Sequence, residues 1–275
     1  MRDLGYIEGR NILVEYRYTE GNVDLAPGLV AELVQRKVDV LVAGFLIAIR
    51  AAKQATTTMP VVIITNVDPV ATGLVDSLSH PGGNITGITL LMRDLSGKRL
   101  ELLKEVAPRT SRVGILWDAD APAPALAFKE YEAAARALRV QIQSLEVRGS
   151  NLDLERSFPT SGIGRTDALI TITNPRLSRL AKRIAELAIH TGQPSMAERS
   201  DYVEAGGLVS YAASTVESNR RAAYFVDRIL KGARPADLPV EQSTKFELVI
   251  NLKTAKQIGL TIPPNVLARA DRVIK

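Results

Sequence analysis

The feature that most constrains the fold of this chain is an alternation of strand-like and helix-like segments, which recurs roughly every 25–35 residues. Several strand-like segments are continuous runs of mainly apolar residues, such as Val38–Ala43, Pro60–Thr65 and Ala168–Thr173. Such runs are typical of strands that are buried on both faces, as in a parallel sheet covered by helices. The alternation therefore predicts an α/β protein with parallel sheets.

The same alternation predicts further elements along the chain. Strands are expected at Ile12–Tyr18, Ile85–Leu90, Arg112–Trp117, Gln141–Val147, Gln193–Ala197, Gly207–Tyr211 and Val240–Asn251, and helices include Val70–Leu78, Leu152–Phe158 and Glu217–Lys231. With 275 residues, the chain is long for one core and suits two lobes of roughly 100–150 residues. We therefore expect two doubly wound parallel-sheet lobes joined by three crossings. Residues 1–87 and 211–238 are expected in the first lobe, and residues 88–210 and 240–275 in the second.

The composition is that of an ordinary globular protein, and it excludes several kinds of site. Apolar residues make up 46% and charged residues 24% of the chain, and no apolar run approaches the roughly 20 residues that span a bilayer. The absence of cysteine removes disulfides, thiol nucleophiles and thiolate metal sites. The net charge of +5 comes from scattered basic residues, which favours a solvated surface over a nucleic-acid interface.

Candidate ligand-binding residues follow the predicted strands. Sheets of this kind bind ligands beyond the carboxyl ends of their strands, where the N-termini of helices present free N–H groups. The candidates chosen on this ground are Phe45, Asn66, Asp68, Trp117, Asp118, Asn174 and Tyr211. These candidates come from both predicted lobes. This distribution is expected when a ligand binds in a cleft to which each lobe contributes residues.

Each candidate also has a purely structural interpretation. Asp68 can pair with a ligand ammonium group or cap the helix that Pro69 begins. Trp117 can stack on an aromatic or cationic ligand or lie in the core. Asn174 can bind a carboxylate or an amine, or simply form a turn before its proline.

Three candidates remain open in the same way. Phe45 makes a pocket more apolar or smaller, or is a buried aromatic residue of the turn after Gly44. Asp118 and Asp120 form a pair of carboxylates, but a solvated turn is the favoured interpretation because the sequence shows no third ligand. Tyr211 supplies a hydroxyl to a cleft wall or belongs to the core.

The sequence contains no coherent catalytic site, and we expect no catalytic residue, cofactor or metal. The glycines of Pro81–Asn84 lack the spacing of a phosphate-binding loop and precede a strand, so a tight turn is favoured. His80 and His190 are not spaced to share a metal with another ligand.

Three stretches of the chain resemble a known family. They are Leu238–Pro264, the residues from Val67-Asp-Pro-Val to Pro81-Gly-Gly-Asn-Ile-Thr-Gly87, and Glu204–Tyr211. These stretches resemble bacterial ABC-transporter substrate-binding proteins, close to the tryptophan/tyrosine-binding group. The resemblance covers nearly the whole chain and implies the type I periplasmic-binding-protein fold. Family members carry an export signal and a first strand before the point where this chain begins, so we expect the first strand of the first lobe to be absent.

The resemblance also implies a function. This function is the capture of a small molecule between two lobes that close by a hinge. The expected ligand is an aromatic amino acid or a similar zwitterion. The implied partner is an ABC permease, no nucleic acid is expected, and the implied location is periplasmic or lipid-anchored outside the cytoplasm. The first residues, Met1–Gly5, contain no apolar signal-peptide region. Without the first strand, the strands at Ile12 and Val38 are expected to pair directly, leave a gap, or recruit a strand from a second chain as a homodimer.

Two other functions are compatible with the predicted fold. A ligand-sensing regulatory domain of the same fold needs a helix-turn-helix ahead of it, for which the sequence has no room. An α/β enzyme with an unrecognised site would need a nucleophile, a metal set or a phosphate loop, and the sequence shows none of these. A solute-binding protein is therefore the favoured interpretation.

Overall fold

The computed structural model describes residues 1–20, 22–90, 95–149, 152–155, 158 and 165–275. The described strands are β1 Leu41–Gly44, β2 Val61–Thr65, β3 Ile85–Thr89, β4 Arg112–Asp118, β5 Gln141–Val147, β6 Ala168–Thr171, β7 Ser195–Ala197, β8 Val209–Ala213, β9 Glu241–Gln242, β10 Phe246–Asn251 and β11 Arg272–Ile274. The described α-helices are α1 Ala26–Gln35, α2 Leu46–Ala55, α3 Ser96–Val106, α4 Pro122–Leu138, α5 Pro175–Arg179, α6 Ala181–His190, α7 Asp201–Glu204, α8 Thr215–Leu230, α9 Leu252–Gln257 and α10 Pro264–Leu267. None of these helices is long and apolar enough to cross a membrane.

The chain forms two compact units, each with its own sheet. Unit 1 comprises Met1–Leu91 and Ala213–Lys245, and unit 2 comprises Met92–Ala212 and Phe246–Lys275. The order of strands is β1-β2-β3-β9 in the sheet of unit 1 and β11-β10-β8-β7-β6-β4-β5 in the sheet of unit 2. In unit 1 every neighbouring pair is parallel, and so are the pairs β4–β5, β4–β6, β6–β7, β7–β8 and β10–β11 in unit 2.

The sheet of unit 1 is covered by helices on both faces. Ile63 of β2 is fully buried and belongs to the core that α1 and α2 form on one face. Val62, the next residue of the same strand, is also fully buried and packs in a second core with Phe225 of α8. Because consecutive side chains of a strand point to opposite faces, an unbroken apolar run is what such a sheet requires.

The sheet of unit 2 is built in the same way. Ile170 of β6 lies in a core with residues of α3, α4 and α9, whereas its neighbour Leu169 lies in a core with residues of α5, α6 and α7. Both residues are fully buried. The prediction of an α/β protein with doubly wound parallel sheets is therefore confirmed.

The predicted strand Ile12–Tyr18 is wrong. The segment forms one isolated bridge, between Glu8 and Ile12, and joins neither sheet. Its apolar side chains are not buried, since Leu13 is 76% and Tyr18 69% exposed. The segment contacts α1 instead, where Arg17 donates to both carboxylate oxygens of Glu32 at 2.9 and 2.6 Å. Alternation alone does not make a strand unless a neighbouring strand is there to pair with.

This leaves β1 at the edge of the described sheet of unit 1, paired with β2 alone. The sequence left three alternatives for Ile12–Tyr18 and β1: direct pairing, a gap, or a strand recruited from a second chain. Direct pairing is not seen in the described part of the chain. Recruitment of a strand from a second chain stays a prediction.

The predicted helix Val70–Leu78 is also wrong, because this segment is a series of turns. The N–H groups of Leu74 and Val75 both donate to the carbonyl oxygen of Pro69, and Gly73 has a φ of +68°. A left-handed residue at this position interrupts a helix after one turn. The predicted helix Leu152–Phe158 lies partly outside the described residues, and Leu152–Leu154 are not helical.

The close approach of β2 and β3 depends on Gly87. This residue has a φ of +136°, and a Cβ atom built on it would collide with the backbone of Ile63 on the paired strand. We therefore expect Gly87→Ala to destabilise the protein by roughly 3 kcal/mol or more in chemical denaturation followed by circular dichroism. Gly83→Ala is the matched control, because its Cβ would have nothing within 4 Å and its φ is not positive. Equal effects of the two substitutions would contradict this account.

Candidate functional site

The carboxyl ends of the strands carry most of the candidate residues. In unit 1, Phe45 directly follows β1, and Asn66 directly follows β2. In unit 2, Asp118 is the last residue of β4, and Asn174 lies three residues after the end of β6. Because parallel strands end at the same edge of a sheet, each unit gathers its own candidates along one edge.

Phe45 holds the most unusual backbone conformation of the candidates. Its φ of 60° and ψ of 143° are strained for a residue with a side chain. It is the N-cap residue of α2 and makes no side-chain cap, while its carbonyl oxygen accepts the N–H of Ile49 at 3.2 Å. The ring is 37% exposed. The edge of unit 1 thus presents an aromatic surface beside a helix N-terminus without a side-chain cap.

Asp68 closes a turn in the structure. Its Oδ1 accepts the N–H groups of Val70 at 2.8 Å and Ala71 at 3.1 Å, and its carbonyl oxygen accepts the Thr72 hydroxyl at 2.6 Å. The interpretation as a helix cap is wrong, because no helix follows Pro69, and the side chain instead closes a turn with both hydrogen bonds on one oxygen. Asn66 is half-buried beside it.

Asp118 and Asn174 meet at the edge of unit 2. The Asn174 amide donates to Asp118 Oδ2 at 2.7 Å, and Asp118 is fully buried. Arg176 Nη1 donates to both oxygens of Asp118, at 3.1 and 3.0 Å, and lies 3.6 Å from Asp120 Oδ2. A buried carboxylate is stable only when it is paired and hydrogen-bonded, and this one has both kinds of partner.

Asn174 has a second contact that fixes its orientation. Its Oδ1 accepts the N–H of Leu177 at 2.8 Å, so the residue is the N-cap of α5. The amide therefore joins the end of β4 to the start of α5. The structural interpretation of Asn174 is therefore seen, and its binding of a ligand carboxylate or amine stays a prediction.

Trp117 and Tyr211 pack against the main core of unit 2. Trp117 is 8% exposed, stacks on Phe128 with ring centroids 5.4 Å apart, and donates its indole N–H to Ser144 at 2.8 Å. Tyr211 is half-buried and packs on Phe246 with centroids 6.0 Å apart. The structure thus places Trp117 in the core, whereas Tyr211 keeps part of its surface open.

A buried ion pair lies behind this edge, and the sequence interpretation did not include it. Arg99 of α3 donates to Glu198 Oε1 at 3.0 Å and to the carbonyl oxygen of Tyr211 at 2.9 Å. Glu198 also accepts the Tyr131 hydroxyl at 3.2 Å and, on its second oxygen, the N–H of Thr173 at 3.1 Å. Burial, and then the negative charge of Glu198, raise the pKa of Tyr131, so this hydroxyl remains a donor. The network joins α3, α4, β8 and the residues after β6 and β7.

The sequence contains patterns that could have identified Glu198, Arg99 and Arg176. Glu198 directly follows β7, so the criterion that selected Asn66 also applies to it. Arg99 precedes Leu102, Leu103 and Val106 by three, four and seven residues, which places a charge on the apolar face of α3. Arg176 comes two residues after the candidate Asn174.

The buried Arg99–Glu198 pair is sensitive to loss of one partner. Arg99→Met leaves the Glu198 carboxylate buried without its cation, and we expect a loss of about 3–5 kcal/mol in the free energy of unfolding, measured in denaturant. The double variant Arg99→Met/Glu198→Met should recover part of this loss, because no unpaired charge remains. Arg234→Ala is the control. It breaks an exposed ion pair with Asp237, so the denaturant concentration at the midpoint of unfolding should stay unchanged. A double variant less stable than Arg99→Met would contradict the prediction.

Known proteins resemble this chain over nearly its whole length. The family model for ABC transporter substrate binding protein matches residues 1–274. A tyrosine-binding protein of Clostridioides difficile (strain R20291) is 24% identical over 272 residues, covering 94% of this chain and 74% of that protein.

Two solved structures show the same fold. One is a conserved domain protein from Vibrio cholerae o1 biovar eltor str. n16961, with a TM-score of 0.87, 27% identity and coverage of 99% of this chain and 90% of that one. The other is an ABC domain from Streptococcus pneumonia in complex with L-Trp, with a TM-score of 0.86, 24% identity and coverage of 99% and 91%. Because the family model matches the chain from its first residue to its penultimate one, this chain belongs to the family of ABC transporter substrate-binding proteins.

Proposed function

We propose that this protein captures an aromatic amino acid, or a similar zwitterion, and delivers it to the permease of an ABC importer. Members of its family are extracytoplasmic solute-binding proteins rather than enzymes. The observation that carries the proposal is Phe45, a partly exposed aromatic ring held in a strained conformation at an N-terminus of a helix that has no side-chain cap. The relatives add support, since one is a tyrosine-binding protein and another was solved with L-Trp.

The chemistry of an aromatic amino acid matches the groups at the edge of unit 1. The free N–H groups at the start of α2 favour a carboxylate, because they carry the positive end of the helix dipole. The carboxylate of Asp68 has one oxygen bonded within the turn that follows it, and its other oxygen favours an ammonium group. The ring of Phe45 offers a flat apolar surface for an aromatic side chain, and Asn66 adds an amide beside it.

Unit 2 is proposed to supply the opposing wall. Tyr211 contributes its partly open aromatic surface. Asp118 and Asn174 are proposed to shape this wall and to set the position of Arg176, since their polar atoms already bond to one another and to neighbouring residues. Trp117 supports the wall from the core. Four of the seven candidates are thus proposed as ligand contacts, namely Phe45, Asn66, Asp68 and Tyr211, whereas Trp117, Asp118 and Asn174 are proposed only as supports.

The proposed mechanism is closure of the two units around the ligand by a hinge. A ligand that contacts both units binds the closed state better than the open one, so it shifts the population towards closure. No covalent step is needed for capture and release. The proposed partner is the permease of an ABC transporter, and the proposed location is the periplasm or a lipid anchor outside the cytoplasm.

A thermal-unfolding scan against the twenty amino acids tests the ligand class. A ligand at about 100 times its Kd stabilises the protein by about 2.7 kcal/mol, which raises the Tm by roughly 5–10 °C in a protein of this size. We expect L-Trp or L-Tyr to produce such a shift and the charged amino acids to produce none. No shift with any aromatic amino acid would overturn the proposed ligand class.

Phe45→Gly tests the residue that carries the proposal. Glycine adopts a positive φ without strain, so the free protein should become slightly more stable, while loss of the ring should weaken binding of the aromatic ligand about 10–100-fold. Isothermal titration calorimetry measures the affinity, and unfolding in denaturant measures the stability. Tyr18→Ala is the matched control, because it removes an exposed aromatic ring from the segment beside α1. Unchanged affinity in Phe45→Gly would remove this residue from the site.

A further inference from the structure

A small pocket lies inside unit 2, beneath the carboxyl end of β6. It is lined by residues of β6, α5, α6, β7 and α7, and its volume is about 10 Å³. This is about the room that one water molecule needs, and it is too little for an amino acid or any other organic ligand. The apolar side chains of Leu177 and Ile184 form part of its wall.

Two hydroxyl groups of this pocket have no hydrogen-bond partner among the described residues. They are Thr171 Oγ1 on β6 and Ser178 Oγ on α5, and both atoms are buried. Thr171 as a whole is only 3% exposed. A buried hydroxyl without a partner lowers the stability of the folded state, so native structures rarely contain two of them around one cavity.

Three other polar side chains that line the pocket already have partners. The Tyr202 hydroxyl donates to Ser195 Oγ at 2.8 Å. The Arg199 guanidinium bonds to Asp201 Oδ2 at 2.9 and 2.7 Å, and these two side chains are 38% and 48% exposed. The exposed pair therefore lies on the solvent side of the pocket.

We infer that this pocket binds one water molecule, which bridges Thr171 Oγ1 and Ser178 Oγ. Water is the ligand of matching size, and it both donates and accepts hydrogen bonds, as two hydroxyls require. The bridge joins the end of β6 to α5, whose N-cap residue is Asn174. The water thus acts as a positioning element for the Asn174 side chain and for its contact with Asp118. This inference does not depend on the identity of the transported ligand.

The sign of the change in Tm in Thr171→Val distinguishes a hydrated pocket from a dry one. Valine has nearly the shape of threonine but no hydroxyl. If the water is bound, the substitution removes one of its hydrogen bonds, and we expect the Tm to fall by about 2–4 °C. If the pocket is dry, the substitution removes an unsatisfied hydroxyl, so the Tm rises or stays the same, which would overturn the inference.

Ser178→Ala should lower the Tm by a similar amount, and the double variant should lose less than the sum of the two, because both hydroxyls act through the same water. Ser210→Ala is the matched control: Ser210 Oγ is also buried without a partner but does not line this pocket. The Tm of Ser210→Ala should not fall. A fall equal to that of Thr171→Val would overturn the inference. A high-resolution crystal structure of the unsubstituted protein should show an electron-density peak within hydrogen-bond distance of both hydroxyls, and its absence would also overturn the inference.

Discussion

The rest of the structure depends on one constraint, which is that the central strands of both sheets are covered by helices on both faces. Such strands have no solvated side, so consecutive residues such as Val62 and Ile63, or Leu169 and Ile170, are all fully buried apolar groups. Polar side chains that need water, a partner or a ligand are therefore concentrated at the ends of the strands. This is why Asp118 and Glu198 occur where β4 and β7 end.

The polar groups at the carboxyl ends of the strands are arranged differently in unit 1 and unit 2. In unit 2, the buried carboxylates of Asp118 and Glu198 are each paired with an arginine, and each arginine comes from a helix. Burying a charge is costly unless all its hydrogen bonds are made, so these networks hold the edge in one arrangement. In unit 1, the edge instead carries the strained Phe45 and an α2 N-terminus without a side-chain cap. The polar groups at the edge of unit 2 are therefore engaged with one another, whereas the N-terminus of α2 at the edge of unit 1 has no side-chain cap.

Most of the fold could be predicted from the sequence, because helix coverage of a parallel sheet leaves a local signal in each strand. The predictions failed where the outcome depends on a distant partner. Ile12–Tyr18 alternates like a strand but has no neighbour in the described sheet, and Val70–Leu78 is apolar enough for a helix but is interrupted at Gly73. The same limit applies to the site. The sequence selected Asp118 and Asn174 by their positions, but their contact joins residues 56 positions apart. Likewise, no local pattern determines whether Trp117 faces the core or the edge.

The strain at Phe45 is informative because the fold does not require it. Glycine would adopt the same backbone conformation at little cost, and the partly exposed ring contributes less to the core than a fully buried one would. A conformation that costs stability without a matching gain in packing is most readily explained by what the side chain does there. The ring of Phe45 is held at the start of α2, beside N–H groups that favour an anion. The proposal of an aromatic amino acid as the ligand rests on this combination of an apolar surface and a helix N-terminus.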